Sequence, residues 1–199
     1  MSRVDEQELE QLAVAYGQPE IRMIEIEGDE YLFSTRLHRS RNRRGEVVLA
    51  IERPDRCVLL HRKGWYEPGV YRLLSGGISR DEAVATALAR ELEEETGLTL
   101  DTTHFLGLLD CHIHYSPFAI RRSLEVSFVS YVFYLSRTEG VLRLPQTAED
   151  ITEFRDVPLA DLPAVAEELR HVAPPRTGWG RWRALAHDFV YEMLCAATA

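Results

Sequence analysis

The segment GGISRDEAVATALARELEEETGL, residues 76–98, carries the strongest pattern in the chain. Ala83, Val84, Ala87, Leu88 and Leu92 recur at helical spacing, which predicts an amphipathic helix laid against a sheet. Ser79 and Glu82 have the S-x-x-E spacing of a capping box, so the helix is expected to start near Asp81. At its far end Glu91, Glu93, Glu94 and Glu95 put four acids into five positions. Like charges one turn apart repel, and the negative end of the helix dipole opposes them too. Glu91, Glu94 and Glu95 stand at i, i+3 and i+4, so their carboxylates project from one side. Such a group is either a solvated charged face or a cage for a hard divalent cation, Mg²⁺ first and Mn²⁺ as substitute. Glu93 points elsewhere and reads as solvated.

Upstream, residues 4–16 predict a short helix ended by Gly17 and Pro19. Residues 21–39 alternate apolar and polar around Gly28-Asp29, which predicts a hairpin. The basic run RSRNRRGE, 39–46, is a solvated turn or a contact to a phosphorylated ligand. EVVLAIE and RCVLLHRK are β-rich runs separated by the turn RPD, and GWYEPGVYRLLSGG is expected as loop. Downstream, HFLGLLDCHIHY and SLEVSFVSYVFYLSR predict two long strands, TEGVLRLPQTAED a loop, ITEFRDVPL a further strand and LADLPAVAEELR a short helix. After a linker, HVAPPRTGWG, an apolar face recurs from Trp182 to Leu194, which predicts a final helix packed on the core. Strands in the middle with helices between and after them predict an α+β fold, an α/β/α sandwich with a mixed sheet.

The chain of 199 residues, 45% hydrophobic and 28% charged, can bury a full core. Its net charge of −9, from 32 acidic and 23 basic residues, argues against binding nucleic acid through phosphates. Small phosphorylated ligands stay open, since a few local cations or a metal suffice for them. Cys57, Cys111 and Cys195 have no metal-binding spacing and read as buried reduced thiols. The acidic N-terminal stretch lacks the apolar core of a signal peptide, and no run suits a membrane span. A cytoplasmic protein with no membrane or nucleic-acid partner is expected.

Gly76, five residues, Glu82, seven residues, Arg90-Glu91-Leu92, one residue, Glu94-Glu95, one residue, Gly97-Leu98: this resembles the Nudix box, GX5EX7REUXEEXGU with U aliphatic, at every defined position. The resemblance extends over roughly residues 45–165 and implies the Nudix fold. It suggests three parts: an extension, 1–44, a hydrolase domain, 45–170, and the C-terminal helix segment, 171–199. It also implies metal-dependent hydrolysis of a nucleoside diphosphate linked to another moiety. Glu91, Glu94 and Glu95 would then bind the metal, with Arg90 orienting them and pairing with Glu82. Gly76 would let the loop approach the helix, and Gly97 would end it in the left-handed region. Family members often carry Pro-Gly-Gly before the box, where this chain has Leu74-Ser75-Gly76; Ser75 would supply a backbone carbonyl to the metal. Ser79 stands where many members carry another glutamate. The carboxylate accepting the proton of the attacking water is Glu91, Glu94 or a later acid, Glu149, Asp150 or Glu153.

Substrate markers lie outside the box. The position where ADP-ribose hydrolases of the family carry proline holds Ile113 or His114, whereas the tyrosine associated with dinucleoside polyphosphates is matched by Tyr115. The upstream signatures of coenzyme A and NADH pyrophosphatases are not recognisable. Trp65, Tyr66 and Tyr71 stack on a base or simply pack, and Arg121 and Arg122 meet phosphates or cap a hairpin. Asp110, His112 and His114 share one strand face, for phosphate, for a second metal or for ordinary hydrogen bonds. Two function classes follow: a pyrophosphohydrolase acting on a small nucleotide, or a non-catalytic Nudix module that senses one. The N-terminal extension also offers a surface for a homodimer.

Overall fold

Strand β2 (Arg43–Arg53) is buried on both faces from Gly45 to Ile51, as the central strand of a covered sheet must be. The structure is a computed structural model that describes residues 4–37, 42–116, 123–145 and 150–196. Around β2 stand β1 (Glu20–Glu27), β3 (Cys57–Lys63), β4 (Arg72–Ser79), β5 (Leu98–Tyr115), β6 (Leu124–Gly140) and β7 (Ile151–Pro158). They form one seven-stranded sheet in the order β1-β5-β6-β2-β4-β3-β7. It is mixed: β1 runs parallel to β5 and β2 to β6, while β4 is antiparallel to β2 and β3, β7 to β3 and β6 to β5.

Helices α1 (Glu6–Tyr16) and α2 (Val84–Thr96) cover one face, where Leu12, Ala87, Leu88 and Leu92 meet Val47, Leu49 and Ile51. On the other face α3 (Leu162–Arg170) and α4 (Thr177–Ala196) place Ala166, Leu169, Trp182 and Phe189 in one core with Val48, Ala50 and Val132. The result is the expected α+β, α/β/α sandwich. Among the described residues no helix is long and apolar enough to cross a membrane. Val14, Ile21 and Met23, on α1 and β1, are exposed.

Several sequence expectations are corrected. Up to Leu37, the last described residue of the expected hairpin 21–39, no hairpin forms: β1 alternates as anticipated, but its partner is β5, with Glu20 opposite Gly107 and Glu27 opposite His114. After the turn, Asp29 Oδ1 accepts from Leu32 N at 2.8 Å and opens a short π-helical segment, Leu32–Leu37, instead of a returning strand. The other carboxylate oxygen of Asp29 accepts from Gly178 N at 2.6 Å, in the first turn of α4. The presumed loop before the box contains β4, whose continuous burial from Arg72 to Ile78 erased the alternation that marks a half-exposed strand. Helix α4 begins at Thr177, within the presumed linker, and buries Trp179. All three cysteines are free, yet only Cys111 is buried.

Candidate active site

The start of α2 differs from the capping-box expectation. The helix begins at Val84, and its N-cap, Ala83, has no side-chain oxygen to offer. Glu82 accepts from Ser79 N at 3.0 Å, but its carboxylate is chiefly committed to Arg90: Nε meets Oε1 at 2.7 Å and Nη2 meets Oε2 at 3.0 Å. That two-pronged pair holds the Glu82 carboxyl below the usual carboxylate range and raises the Arg90 guanidinium. Arg90 also donates to Gly77 O at 3.0 Å, to Glu91 Oε1 at 2.8 Å and to Glu94 Oε2 at 3.0 Å. One guanidinium thus ties three box acids to the strand before them. Gly97 ends α2 at φ 73°, donating its N–H to Glu93 O.

The three acids that spacing placed together occupy different surroundings. Glu91 is buried and lies against β4, where a Cβ on Gly76 would stand 1.8 Å from Glu91 Cδ. Glycine there leaves the space that the carboxylate fills. Glu95 is fully buried, with Lys63 Nζ 3.4 Å from Oε1 and His61 Nδ1 3.9 Å from Oε2. His61 itself is held neutral, its basicity lowered by burial and then by Arg72 and Lys63. Glu94 is half exposed. As the side chains stand, no three His, Cys, Asp or Glu groups among the described residues converge on one point as a metal shell would. The donor chemistry nevertheless suits a hard cation: carboxylate oxygens on one helical turn, one of them seated against a glycine.

Beside these acids lies a cavity of about 230 Å³. Glu91, Asp150, Gly76, Gly77 and Ser75 contribute to its wall, with Arg43, Lys63, Arg72 and Arg183 as cations and Trp65, Tyr66 and Trp179 as aromatics. On the α4 side, Glu46 is buried and receives Arg183 Nη1 at 2.7 and 2.8 Å, Ser130 Oγ at 2.8 Å and Ser75 Oγ at 3.2 Å. Arg72 donates Nη1 to Ser75 Oγ at 2.9 Å and Nε to Tyr66 Oη at 2.5 Å. His187 supports this layer by accepting Leu73 N at Nε2 (3.0 Å), while Nδ1 lies 2.9 Å from Arg183 O. Arg183 therefore holds the Glu46 carboxylate directly, and Arg72 reaches it through the Ser75 hydroxyl. Burial, partly offset by Glu46 and reinforced by Arg72, lowers the Arg183 pKa.

The other sequence candidates are scattered. Ser75 joins the Glu46–Arg72 network through its hydroxyl. Tyr66 is buried, its hydroxyl on Arg72 and its ring against Trp65 and Trp179. Tyr115 packs on Phe33, with ring centres 5.4 Å apart, and does not line the cavity. Tyr71 lies under Arg155 and Glu153 pairs with Arg62, both away from the cavity wall. Asp150 lines it, with a left-handed φ of 55°. Asp110, His112 and His114 lie along β5, with His112 Nε2 3.6 Å from Asp110 Oδ2 and His114 bridging Glu25 and Glu125. Glu149, Arg121 and Arg122 lie outside the described residues.

Sequence reasoning missed Glu46, Lys63, Arg72 and Arg183. A signal existed for Glu46: it falls in phase with Val48 and Ala50 on an inward strand face, and a buried carboxylate implies a buried partner. Arg43 was reached only as part of the basic run.

Comparison with known proteins fits this geometry. The NUDIX domain family model matches residues 41–176, and the chain belongs to that family. It is 30% identical to an ADP-ribose pyrophosphatase of Methanocaldococcus jannaschii over 129 residues, covering 65% of this chain and 70% of that protein. It is 28% identical over 133 residues to the NAD-capped RNA hydrolase NudC of Haemophilus influenzae (strain PittEE), covering 63% of this chain. The chain spans 46% of that relative's length, less than half of it. The crystal structure of an ADP compounds hydrolase superposes with a TM-score of 0.51 at 22% identity, over 77% of this chain and 74% of that one, and shares the fold.

Proposed function

We propose that this protein hydrolyses the pyrophosphate linkage of a nucleoside diphosphate joined to a second moiety, with ADP-ribose and NAD-type dinucleotides as the first candidates. One observation carries the reading: a single cavity brings Glu91, from the acidic end of α2, together with four cations, Arg43, Lys63, Arg72 and Arg183. A pyrophosphate repels anionic nucleophiles, so its hydrolysis calls for charge neutralisation around the phosphates and a carboxylate to take a proton from water. Glu91, Glu94 and Glu95 would hold a divalent cation, Mg²⁺ with Mn²⁺ as substitute. Such a cation, when bound, neutralises phosphate oxygens and lowers the pKa of water.

The chain's own residues supply the rest. Arg72 and Arg183 present planar guanidiniums suited to phosphate oxygens, and Arg90 orients Glu91 and Glu94. Glu91 and Asp150 both border the cavity and are the best-placed proton acceptors. Half-buried Trp65 offers an aromatic surface for a base. The substrate class is supported by two relatives named for ADP-ribose and for NAD caps, since both compounds join ADP through its pyrophosphate to a second ribose.

The test is turnover of a panel with Mg²⁺ or Mn²⁺: ADP-ribose, NADH, dinucleoside polyphosphates, nucleotide sugars and nucleoside triphosphates. Release of AMP from ADP-ribose or NADH is expected. Folded protein that binds these nucleotides but turns none over would replace this reading with that of a sensing module.

A further inference from the structure

Helix α1 lies outside the segment that the family model matches, yet it reaches the helix that carries the box acids. Glu8 Oε1 accepts from Val84 N at 2.8 Å and from Arg44 Nη2 at 2.8 Å. The first turn of α2 lacks a cap of its own: Ala83 makes no side-chain bond, the first turn holds no acid, and Glu82 is held by Arg90. A carboxylate at that end satisfies an orphan N–H and meets the positive pole of the helix dipole.

Arg44 extends the connection. Its Nη2 and Nε donate to the Glu82 carbonyl at 2.7 and 3.2 Å, and the Glu82 carboxylate then grips Arg90, which holds Glu91 and Glu94. Glu8 and Arg44 side chains are each 17% exposed, so solvent screens the pair only weakly. Glu8 lines a separate cleft with Arg44 and Glu82, not the cavity beside Glu91. Any influence it has on the site must pass through α2 and the loop before it.

We propose that Glu8 is a positioning residue for the box acids: it caps the start of α2 from outside and, through Arg44, fixes the Glu82 loop that sets Arg90. The inference rests on reading Glu91, Glu94 and Glu95 as the cation-binding acids.

Mn²⁺ binding to the full chain, followed by electron paramagnetic resonance of free Mn²⁺, separates the two ideas. Glu8→Ala should weaken Mn²⁺ binding by about tenfold, the low end for losing a support behind metal ligands. It should also lower kcat more than it changes KM, and speed amide exchange in the first turn of α2. Glu8→Gln should fall between Glu8→Ala and the parent, because its amide oxygen still accepts from Val84 N while the negative charge that pairs with Arg44 is lost. Glu10→Ala, an exposed change on the same helix, should match the parent. Parent-like Mn²⁺ affinity and kcat in Glu8→Ala, even with a lowered Tm, would overturn the proposal and leave Glu8 a packing residue. If Glu8→Ala does not fold, the same comparison is decided by Glu8→Gln. A parent chain that binds no Mn²⁺ would bring down the cation reading itself, and this inference with it.

Discussion

Ser75 and Gly76 are neighbours in β4 that face opposite sides of the sheet, and the two faces are built as inversions of each other. Behind Gly76, three acids, Glu82, Glu91 and Glu94, surround one arginine, Arg90. Behind Ser75, one acid, Glu46, is linked to two arginines, to Arg183 directly and to Arg72 through the Ser75 hydroxyl. One face has acid in excess and suits a cation; the other has base in excess and suits an anion. A pyrophosphate with its counter-cation presents both requirements at once, which is why one cavity between the faces carries the proposed chemistry.

The contrast can be broken at either face. The largest effect is expected from Glu94→Gln, which should lower metal-dependent turnover by about 10³-fold, the order expected when a cation that stabilises transition-state charge is held less well. Because Glu94 is half exposed, its Tm should stay at the parent value; full activity would remove the acidic face from the site. Arg183→Met comes next. Breaking a buried pair by deleting one partner costs about 3–5 kcal/mol, here measured by urea unfolding, and KM for the nucleotide should rise. Unchanged stability would mean that Glu46 does not need its arginine. Gly76→Ala should follow, with an added Cβ 1.8 Å from Glu91 Cδ. Displacing a reacting group by about 1 Å costs on the order of 10²-fold, read as kcat/KM with the circular dichroism spectrum unchanged.

The smallest effect is the pH response of the basic face. Burial pushes His187 down to about 3, so the folded chain keeps it neutral while the unfolded chain takes up a proton near the ordinary histidine value. Its contribution is complete above about pH 6.5 and is lost as pH falls toward 3, at about 1.4 kcal/mol per pH unit. Between pH 7 and pH 5 unfolding free energy should therefore drop by about 2 kcal/mol from His187, with buried His61 acting in the same direction. A flat profile over that interval would show that His187 is not held neutral.

The acidic face was legible because its residues are close in sequence: Gly76 to Leu98 runs from the end of β4 through a turn and α2 to the start of β5, and helical period alone brings Glu91, Glu94 and Glu95 to one side. Spacing did not say that burial would separate them, Glu95 beneath Lys63 and Glu94 near solvent. The basic face was not legible, because Glu46, Arg72, Ser130 and Arg183 come from three strands and a helix. Only the sheet order, with β4 and β6 on either side of β2, brings them together. The N-terminal error had a similar origin. Alternation identifies β1 as a strand but cannot name its partner, and β5, the longest strand, offered a parallel edge.

Asp29 ties that N-terminal region to α4. Its carboxylate binds Gly178 N in the first turn of α4, and a side chain at Gly178 would lie 2.5 Å from the same oxygen. Arg183 follows five residues later on that helix, so the bond fixes the rotational phase with which α4 presents its arginine to Glu46. A graft limited to residues 41–176, the segment shared with the family, would lose both α4 and the residue that indexes it. It would also leave α2 without Glu8. The boundary of kinship and the boundary of the working part are different lines on this chain.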